Sequence, residues 1–414
     1  MQNWKTILKN FISLSGGELL SKGIVFITTI YLARVISPEG FGILGYTTAF
    51  IAYFLLFIDF GFDIISVKKI ANNENLISKY VNNIISFRIV LASLFFILLA
   101  IVIFFLNETL IIKFALLLTG INLFVQAFTT EFVFQATEKI NYLSIKVVVK
   151  NVIILILVLL FVKSISDVLL VVGISVFANF TMNIWLFKRY TKIFERYNWS
   201  IKSNFLKALF AESFPLIISS FMISIYYNLD MVMLGNMKTQ ADVGIYNAAY
   251  KIFMIGLIPL ATIVKIFLPS LSKVKDVELL KRTIKKYGIM MFASGGLIAS
   301  VIYFSASQSV NIIFGSQYIG AVVPLMILAL NILVISVNVF FGNPLTVWGK
   351  QKVYAIAITF GAVGNIILNI LLIPKYSYNG AALATLLSEV IVFVGVFYLF
   401  NKNLKNILSI RSTD

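Results

Sequence analysis

The 414-residue chain contains no cysteine and no histidine. Without cysteine it can form neither a disulfide nor a thiolate metal site. Without histidine it lacks the side chain used most often as a general base and as a metal ligand. No Gly-rich phosphate-binding loop followed by Lys and Ser or Thr is present, which excludes ATP hydrolysis by that route. These absences predict a protein with no catalytic residues, no metal centre and no bound cofactor, and they argue against an enzyme.

Charge is also scarce. Only 12% of the residues are charged and 60% are hydrophobic, with a mean hydropathy of +0.97, whereas a soluble domain carries roughly 25% charged residues. The sequence therefore predicts an all-α polytopic membrane protein. Because a helix needs ~20 mostly apolar residues to cross a bilayer, we expect twelve spans, at residues 11–35, 42–66, 82–106, 110–136, 144–162, 167–187, 208–234, 242–269, 285–305, 318–345, 353–373 and 379–400.

The distribution of positive charge predicts the orientation of the chain. Lys and Arg total 34 against 17 acidic residues, a net charge of +17. Lys and Arg concentrate in cytoplasmic loops. The two termini and alternate gaps, counted with the span ends that border them, hold 24 of these residues, against 5 at the other gaps. Both termini are therefore expected in the cytoplasm. The basic balance needs no nucleic-acid partner to explain it.

The chain reads as two related halves. The segment SPEGFGILGY at 37–46 is similar to TQADVGIYNA at 239–248, and ATEKINYLSI at 136–145 is similar to GKQKVYAIAI at 349–358. Both copies begin in the same orientation, as in transporters whose repeats are related by an axis along the membrane normal. We therefore expect two six-helix lobes related by a pseudo-two-fold axis, with the N-terminal lobe at 1–190, a basic cytoplasmic linker at 191–207 and the C-terminal lobe at 208–414.

Charges inside the predicted spans are the candidate functional residues. One Lys, Arg or Asp at the centre of a spanning helix costs ~2.5–3.5 kcal/mol, so the deep ones are expected to face protein or water. Lys22, Arg88 and Lys251 are the cavity candidates. Glu18 lies four residues before Lys22, so an ion pair between them and a cation available to a ligand both remain open. Lys251 has no acid three or four residues away, which favours a cavity position.

Polar and aromatic residues accompany these charges in SIYYNLDMVMLG (224–235) and GIYNAAYK (244–251). Tyr227, Asn247 and Tyr250 are further cavity candidates, because aromatic faces and amides suit sugar rings. Tyr246 lies near a predicted span end and is expected in an interfacial aromatic belt. Asp230, also near a span end, is expected to extend towards water.

Several stretches carry a family resemblance. They are LARVISPEGFGILGY, DFGFDIISVKKIA, FVFQATEK, IYYNLDMVMLG, VGIYNAAYK and KQKVYAIAITFGAVGNIILNILLIPKYSYNGAALATLLSE. Together they resemble bacterial polysaccharide repeat-unit flippases, the Wzx-type O-antigen translocases of the multidrug/oligosaccharidyl-lipid/polysaccharide exporter superfamily. The resemblance implies twelve helices in two lobes. It also implies movement of an undecaprenyl-diphosphate-linked oligosaccharide across the inner membrane for O-antigen and lipopolysaccharide biosynthesis.

The resemblance also implies roles for the charged residues. Lys22, Arg88 and Lys251 would attract the diphosphate, and Glu18, Asp59 and Glu131 are assigned to local pairing or to coupling with H⁺ or Na⁺. Expected partners are the lipid-linked oligosaccharide, membrane lipid, a polysaccharide polymerase and a chain-length regulator. The alternative function is a cation-coupled multidrug antiporter of the same superfamily, whose cavities are more acidic.

Overall fold

The computed structural model describes residues 4–273 and 276–411, with side chains described at all of these except 4–16, 18, 19, 219, 226, 272, 273, 277, 353 and 405–411. The described chain is helical and contains no strand. Its helices are α1 Trp4–Val35, α2 Ser37–Asp59, α3 Phe62–Asn72, α4 Ile77–Phe105, α5 Leu110–Gly120, α6 Asn122–Ala127, α7 Glu131–Ala136, α8 Ile140–Phe161, α9 Val168–Ile193, α10 Ser203–Met237, α11 Gln240–Gly256, α12 Ile258–Lys273, α13 Val277–Ile313, α14 Val322–Val347 and α15 Gln351–Arg411.

Ten helical segments within the described residues are long and apolar enough to cross a membrane. Many large apolar side chains on these segments are exposed, including Phe104, Phe105 and Phe304. Because such a surface is stable only against lipid, the chain is a multi-pass membrane protein, as its composition predicted. The count of twelve spans stays a prediction.

The contacts divide the chain into two compact units, Met1–Ser224 (unit 1) and Ile225–Asp414 (unit 2). The division falls inside α10, so residues 208–224 contact unit 1. In unit 1, Phe62 and Phe210 meet edge to face at 5.2 Å in an aromatic core. The lobe boundaries derived from the sequence stay a prediction.

The longest helix, α15, reverses direction within residues 374–378, the gap predicted between the last two spans. Ser377 has φ +49° and ψ −131°, which no helical residue adopts. A Cβ at Gly380 would lie 2.3 Å from the main-chain oxygen of Leu372, eight residues earlier. The halves on either side pack together, since a Cβ at Gly361 would meet Val392. α15 is therefore two antiparallel helical halves joined by a tight turn, with room only for hydrogen at Gly380.

The same turn appears in the two proposed repeats. At the end of α7, Lys139 N–H donates to Phe134 O (2.9 Å), and Glu138 between them has φ +57°. At the end of α14, Lys350 N–H donates to Leu345 O (2.8 Å) around a residue with φ +73°, here a glycine. Both are Schellman turns, which use one left-handed residue to satisfy the last carbonyls of a helix. The two turns are 211 residues apart, two fewer than the 213 that align the similar segments, so both segments contain a turn of this type but at positions shifted by two residues.

The predicted linker is tied to unit 1 through the polar side chains of α4. Asn82 Oδ1 accepts the N–H of Asn198 (2.9 Å), and Asn83 Oδ1 accepts the N–H of Lys202 (2.8 Å). Ser86 Oγ accepts the N–H of residue 200 (3.0 Å). These bonds replace the pairing that a helix would provide and hold residues 198–202 in an extended course along α4.

Candidate functional site

A break between α2 and α3 forms an ion cluster in unit 1. Phe60 (φ +51°) and Gly61 (φ +75°) are both left-handed, so α2 ends at Asp59 with free main-chain oxygens. Arg88 of α4 is fully buried and fills this break. Its Nε donates to Ile58 O at 3.1 Å and its Nη2 donates to Asp59 O at 3.3 Å.

The same guanidinium pairs with both carboxylates that flank the break. Arg88 Nη2 donates to Asp59 Oδ1 at 2.5 Å and to Asp63 Oδ1 at 2.9 Å, and the ring of Phe62 lies 5.9 Å from its central carbon. Arg88 is therefore an internal structural cation that closes a helix end. Asp59, expected in pairing or coupling, is in an ion pair. The expected role of Arg88 towards a diphosphate stays a prediction. Its Nε and Nη2 are occupied by these partners, whereas its Nη1 is buried and has no hydrogen-bond partner within the described residues.

A second ion pair lies on a cavity inside unit 1. Lys146 of α8 is buried and donates to Glu131 at the start of α7, and it also donates to Asn183 Oδ1 at 2.7 Å. Asn183 and Glu131 line a cavity of about 490 Å³, together with Lys150 one turn further along α8. Glu131, also assigned to pairing or coupling, is thus placed in an ion pair, and its half-exposed side chain borders this cavity.

The first helix presents different residues on its two faces. Ser21 is buried and accepts a 2.6 Å hydrogen bond from Asn151 of α8, and a Cβ at Gly17 would touch Ser144 of the same helix. Gly17 and Ser21 are small and four residues apart, a spacing that lets two membrane helices approach closely. Lys22 points away from that contact and is exposed. The side chain of Glu18 lies outside the described residues, so the ion pair between the two stays a hypothesis.

The candidates on α11 divide into buried and exposed residues. Asn247 and Tyr250 are buried, and the Tyr250 ring lies 5.8 Å from that of Tyr246. Lys251, the next residue, is exposed. It forms no ion pair or hydrogen bond with the side chains that the structure describes. Tyr227 of α10 is 41% exposed. Lys251 and Tyr227 are thus exposed, whereas Asn247 and Tyr250 are buried in unit 2, and the assignment of all four to a substrate stays a prediction.

Unit 2 contains a buried carboxylate that sequence reasoning placed wrongly. Asp230 is 2% exposed, not extended towards water. Tyr246 and Thr385 donate their hydroxyls to its Oδ2 at 2.6 and 2.5 Å, and Asn369 Nδ2 donates to its Oδ1 at 2.6 Å. Tyr246 is fully buried, so the prediction of an interfacial position for it is also wrong. The available signal was the pair Asn365 and Asn369, four residues apart on one face of an apolar helix.

The Asp230 centre has an unused oxygen. Asn369 Nδ2 also donates to Asn365 Oδ1 at 3.0 Å, while Asn369 Oδ1 is buried and has no hydrogen-bond partner. Asp230 forms no ion pair within the described residues, in contrast to Asp59, Asp63 and Glu131 of unit 1. A carboxylate beside a free amide oxygen is a donor set that suits a hard cation. The centre can therefore hold a cation that the protein itself does not supply.

Comparison with known proteins identifies the family. The family model described as "Polysaccharide biosynthesis protein" matches residues 7–275. The chain belongs to this family. It is 27% identical over 408 residues to the capsular polysaccharide biosynthesis protein CapF of Staphylococcus aureus, covering 96% of this chain and 100% of that protein. It is 25% identical over 402 residues to a putative O-antigen transporter of Escherichia coli K12, covering 92% of each chain.

Solved structures show how this member of the polysaccharide biosynthesis family is folded. The lipid II flippase MurJ in its inward closed conformation matches with a TM-score of 0.77 at 14% identity, over 97% of this chain and 92% of that one. An inward-facing multidrug resistance transporter of the MATE family matches with a TM-score of 0.73 at 12% identity, over 96% and 98%. The predicted all-α polytopic membrane fold is confirmed, and it is the fold seen in MurJ and in the MATE transporter. The twelve spans and the two-fold relation of the lobes stay predictions.

Proposed function

We propose that the protein is a flippase that moves an undecaprenyl-diphosphate-linked oligosaccharide repeat unit from the cytoplasmic to the periplasmic leaflet of the bacterial inner membrane. Both termini would lie in the cytoplasm. The repeat unit would serve O-antigen or another surface polysaccharide, with a polymerase and a chain-length regulator as downstream partners. The observation that carries this proposal is the family match over residues 7–275. Full-length similarity to a capsular polysaccharide protein and to a putative O-antigen transporter supports it.

The placement of the cations supports a role for two lysines. A diphosphate is attracted by fixed positive charge in a site of low dielectric constant. Lys22 and Lys251 lie within apolar helices and are exposed, whereas Arg88 is fully buried against its own carboxylates. We therefore assign diphosphate contact to Lys22 and Lys251, with Tyr227 exposed for contact with a sugar. Arg88 maintains the helix break.

The mechanism we propose is alternating access, in which the protein opens to one leaflet at a time. The oligosaccharide and diphosphate would cross within the protein while the polyprenyl chain stays in lipid, because burying its methylene groups in lipid is favourable and burying sugar hydroxyls there is not. No covalent bond changes in this process, so we propose a transporter that is not an enzyme.

We also propose that transport is coupled to a cation, H⁺ or Na⁺, at the Asp230 centre. A proton binds to a single oxygen, whereas Na⁺ needs several oxygen ligands. The carboxylate of Asp230 and the free Oδ1 of Asn369 offer more than one, so we favour Na⁺. Asp230→Asn would keep the shape of the side chain and remove the charge. Loss of the dependence on a Na⁺ gradient in Asp230→Asn, with the protein still inserted, is the expected result.

The decisive experiment for the main function is deletion of the gene in its natural host, followed by location of the lipid-linked repeat unit. We expect the unit to accumulate in the cytoplasmic leaflet and surface glycan to disappear. The proposal fails if the unit still reaches the periplasmic leaflet when no other flippase of this family is present.

A multidrug antiporter is the second candidate, because the buried carboxylate of Asp230 in unit 2 would also attract a cationic drug or the cation that drives its export. Expression in a pump-deficient host distinguishes the two functions. Increased resistance to cationic dyes would establish the antiporter, and unchanged susceptibility is the outcome we expect.

A further inference from the structure

A second buried acid in unit 2 is paired with an amide. Glu389 of α15 is 7% exposed and Asn338 of α14 is 4% exposed. Asn338 Nδ2 donates to the main-chain oxygen of Glu389 at 2.9 Å and also to its side-chain Oε2. Both hydrogens of this amide are therefore directed at one residue, which fixes the orientation of the amide group.

The amide oxygen is left unsatisfied by this arrangement. Asn338 Oδ1 is buried and accepts no hydrogen bond. An amide carries two donors and one acceptor group, so it is complementary to a partner that offers an acceptor and a donor. An ionised carboxylate offers only acceptors, whereas a protonated carboxyl group offers one acceptor and one donor. The group missing at Asn338 is therefore a donor, and a proton on Glu389 would supply it.

We propose that Glu389 is a proton-binding site and that Asn338 is the residue that selects its protonated form. The added proton forms an O–H bond on the carboxyl group and hydrogen-bonds to Asn338 Oδ1, while Nδ2 keeps its bond to Oε2. No other atom changes its bonding, and the proton comes from water. The Asp230 centre also has a free amide oxygen, on Asn369. It differs in that the hydroxyls of Tyr246 and Thr385 both donate to one oxygen of the Asp230 carboxylate.

Within the described residues, phenol groups lie near Glu389. Three titratable side chains interact with its charge: Tyr227 of α10, Tyr250 of α11 and Tyr354 at the start of α15. Phenols remain neutral across the physiological pH range. Tyr227 is also 41% exposed, which connects this part of unit 2 to the surface.

The role of this proton in transport rests on the proposed function, whereas proton binding itself does not. If the protein is a flippase, unit 2 binds a proton at Glu389 and a second cation at the Asp230 centre. The two requirements are then separable by mutation. Glu389→Gln replaces the hydroxyl of the protonated acid by an amide donor, so it reproduces the proposed pairing permanently.

The test uses infrared difference spectroscopy of the purified full-length protein in vesicles of phosphatidylethanolamine and phosphatidylglycerol. A protonated carboxyl group has a C=O stretch of its own that shifts in D₂O. We expect a band that disappears as the pH is raised, is absent in Glu389→Gln and is retained in Asp230→Asn. Glu278→Gln is the matched control, because Glu278 is an exposed acid near Arg282 on the surface of α13.

A change at the partner tests the pairing. Asn338→Leu removes the amide at nearly constant volume, and it should shift the frequency of the band because the hydrogen bond to the carboxyl group is lost. Glu389→Asp retracts the carboxyl group by one methylene and should also shift the frequency of the band. This variant replaces Glu389→Gln in the experiment if Glu389→Gln does not accumulate. The proposal is overturned if wild-type protein shows no pH-dependent band, if Glu389→Gln retains the band, or if Asn338→Leu leaves its frequency unchanged.

The two proposals fail in different ways. A band that belongs to Glu389 would stand even if deletion of the gene leaves repeat-unit translocation intact, in which case only the flippase function fails. If deletion blocks translocation but the band belongs to another residue, only the proton site fails.

Discussion

Three cations inside the apolar helices illustrate how differently one charge can be accommodated in a membrane protein. Arg88 is fully buried and its planar guanidinium reaches two carboxylates and two carbonyls at the α2–α3 break. Lys146 is buried against one carboxylate and one amide. Lys251 is exposed. The first two have internal partners that keep them in place, so structural roles follow. The exposed lysine is the one available to a ligand.

The first prediction concerns Arg88. Breaking a buried ion pair costs 3–5 kcal/mol, because an uncompensated charge is left behind. Asp59 and Asp63 are about one third and one quarter exposed, so Arg88→Gln should destabilise the protein by about 3 kcal/mol, the low end of that range. Thermal unfolding in detergent measures this change. Arg88→Lys should lose less stability, since it retains the charge but not the fork of donors.

The second prediction concerns Lys251. Its replacement by Ala removes an exposed cation without removing a described contact, so the protein should insert and unfold normally. Glycan export should fall severely, because the diphosphate loses an attractive charge. Export is measured as surface glycan at native expression level, with Lys286→Ala as the control, since Lys286 is also exposed but lies in a basic segment beside the membrane. Normal glycan in Lys251→Ala would show that the lysine does not contact the substrate.

At the scale of elements, close backbone contacts decide where helices end and turn. The tight turn of α15 brings Gly380 against Leu372, and the left-handed pair Phe60 and Gly61 opens the site that Arg88 fills. Hydropathy identified most of these helices, but it gave one span where the chain has α2 and α3, and another where it has α5, α6 and α7. A hydropathy average carries no information on backbone conformation, such as the left-handed Phe60 and Gly61 that separate α2 from α3. The turn of α15 lies in the gap at 374–378 that was predicted between two apolar spans.

The third prediction uses two glycines that differ only in their surroundings. A Cβ at Gly380 would lie 2.3 Å from a main-chain oxygen, whereas a Cβ at Gly173 in α9 meets nothing within 4 Å. Gly380→Ala should therefore destabilise the protein by several kcal/mol or prevent its accumulation, as the two halves of α15 must separate. Gly173→Ala should stabilise it by roughly 0.5–1 kcal/mol, because alanine loses less backbone freedom in a helix. Thermal unfolding of both variants measures the contrast, and equal unfolding temperatures would contradict the tight turn.

Sequence reasoning reached the candidate site only in part, and the reason is distance along the chain. Arg88, Lys251 and Glu131 were selected because a charge in an apolar segment is visible locally. Asp230 was assigned to a span end from its position in the sequence. The partners that bury it come from positions 246, 369 and 385 on two other helices, so the local sequence contains no sign of them. The sequence pattern cannot reveal contacts over such separations. The pairing of Asn338 with Glu389, 51 residues apart, was missed for the same reason.

At the scale of the whole molecule, the two units use different chemistry to hold their buried acids. In unit 1 the described carboxylates at the α2–α3 break and on the cavity lie against Arg88 or Lys146. In unit 2 the carboxylate of Asp230 is held by hydroxyl and amide donors. Each of these carboxylates in unit 1 is therefore paired with a cation of the same unit, and Arg88 serves two of them. In unit 2 the proposed coupling cation would balance Asp230.

The fourth prediction concerns the orientation of the whole chain. Because the protein has no cysteine, a single introduced cysteine is the only thiol that a maleimide can label. Ser166→Cys before α9 and Lys192→Cys at its other end are both exposed. A membrane-impermeant maleimide should label Ser166→Cys in intact spheroplasts and Lys192→Cys only after permeabilisation. The reverse pattern would show that both termini are outside.

The neutral donors around Asp230 have an electrical consequence. A cation that enters this centre adds a net charge to helices that cross the bilayer, whereas the ion pairs of unit 1 carry their countercharge with them. Moving one elementary charge through the full membrane potential is worth about 2.3 kcal/mol per 100 mV. If the Asp230 centre binds the proposed coupling cation, the membrane voltage would act on the occupancy of the centre in proportion to the fraction of the potential that this cation crosses. An energised cell would thus drive cation entry from outside with no change in the protein's own side chains.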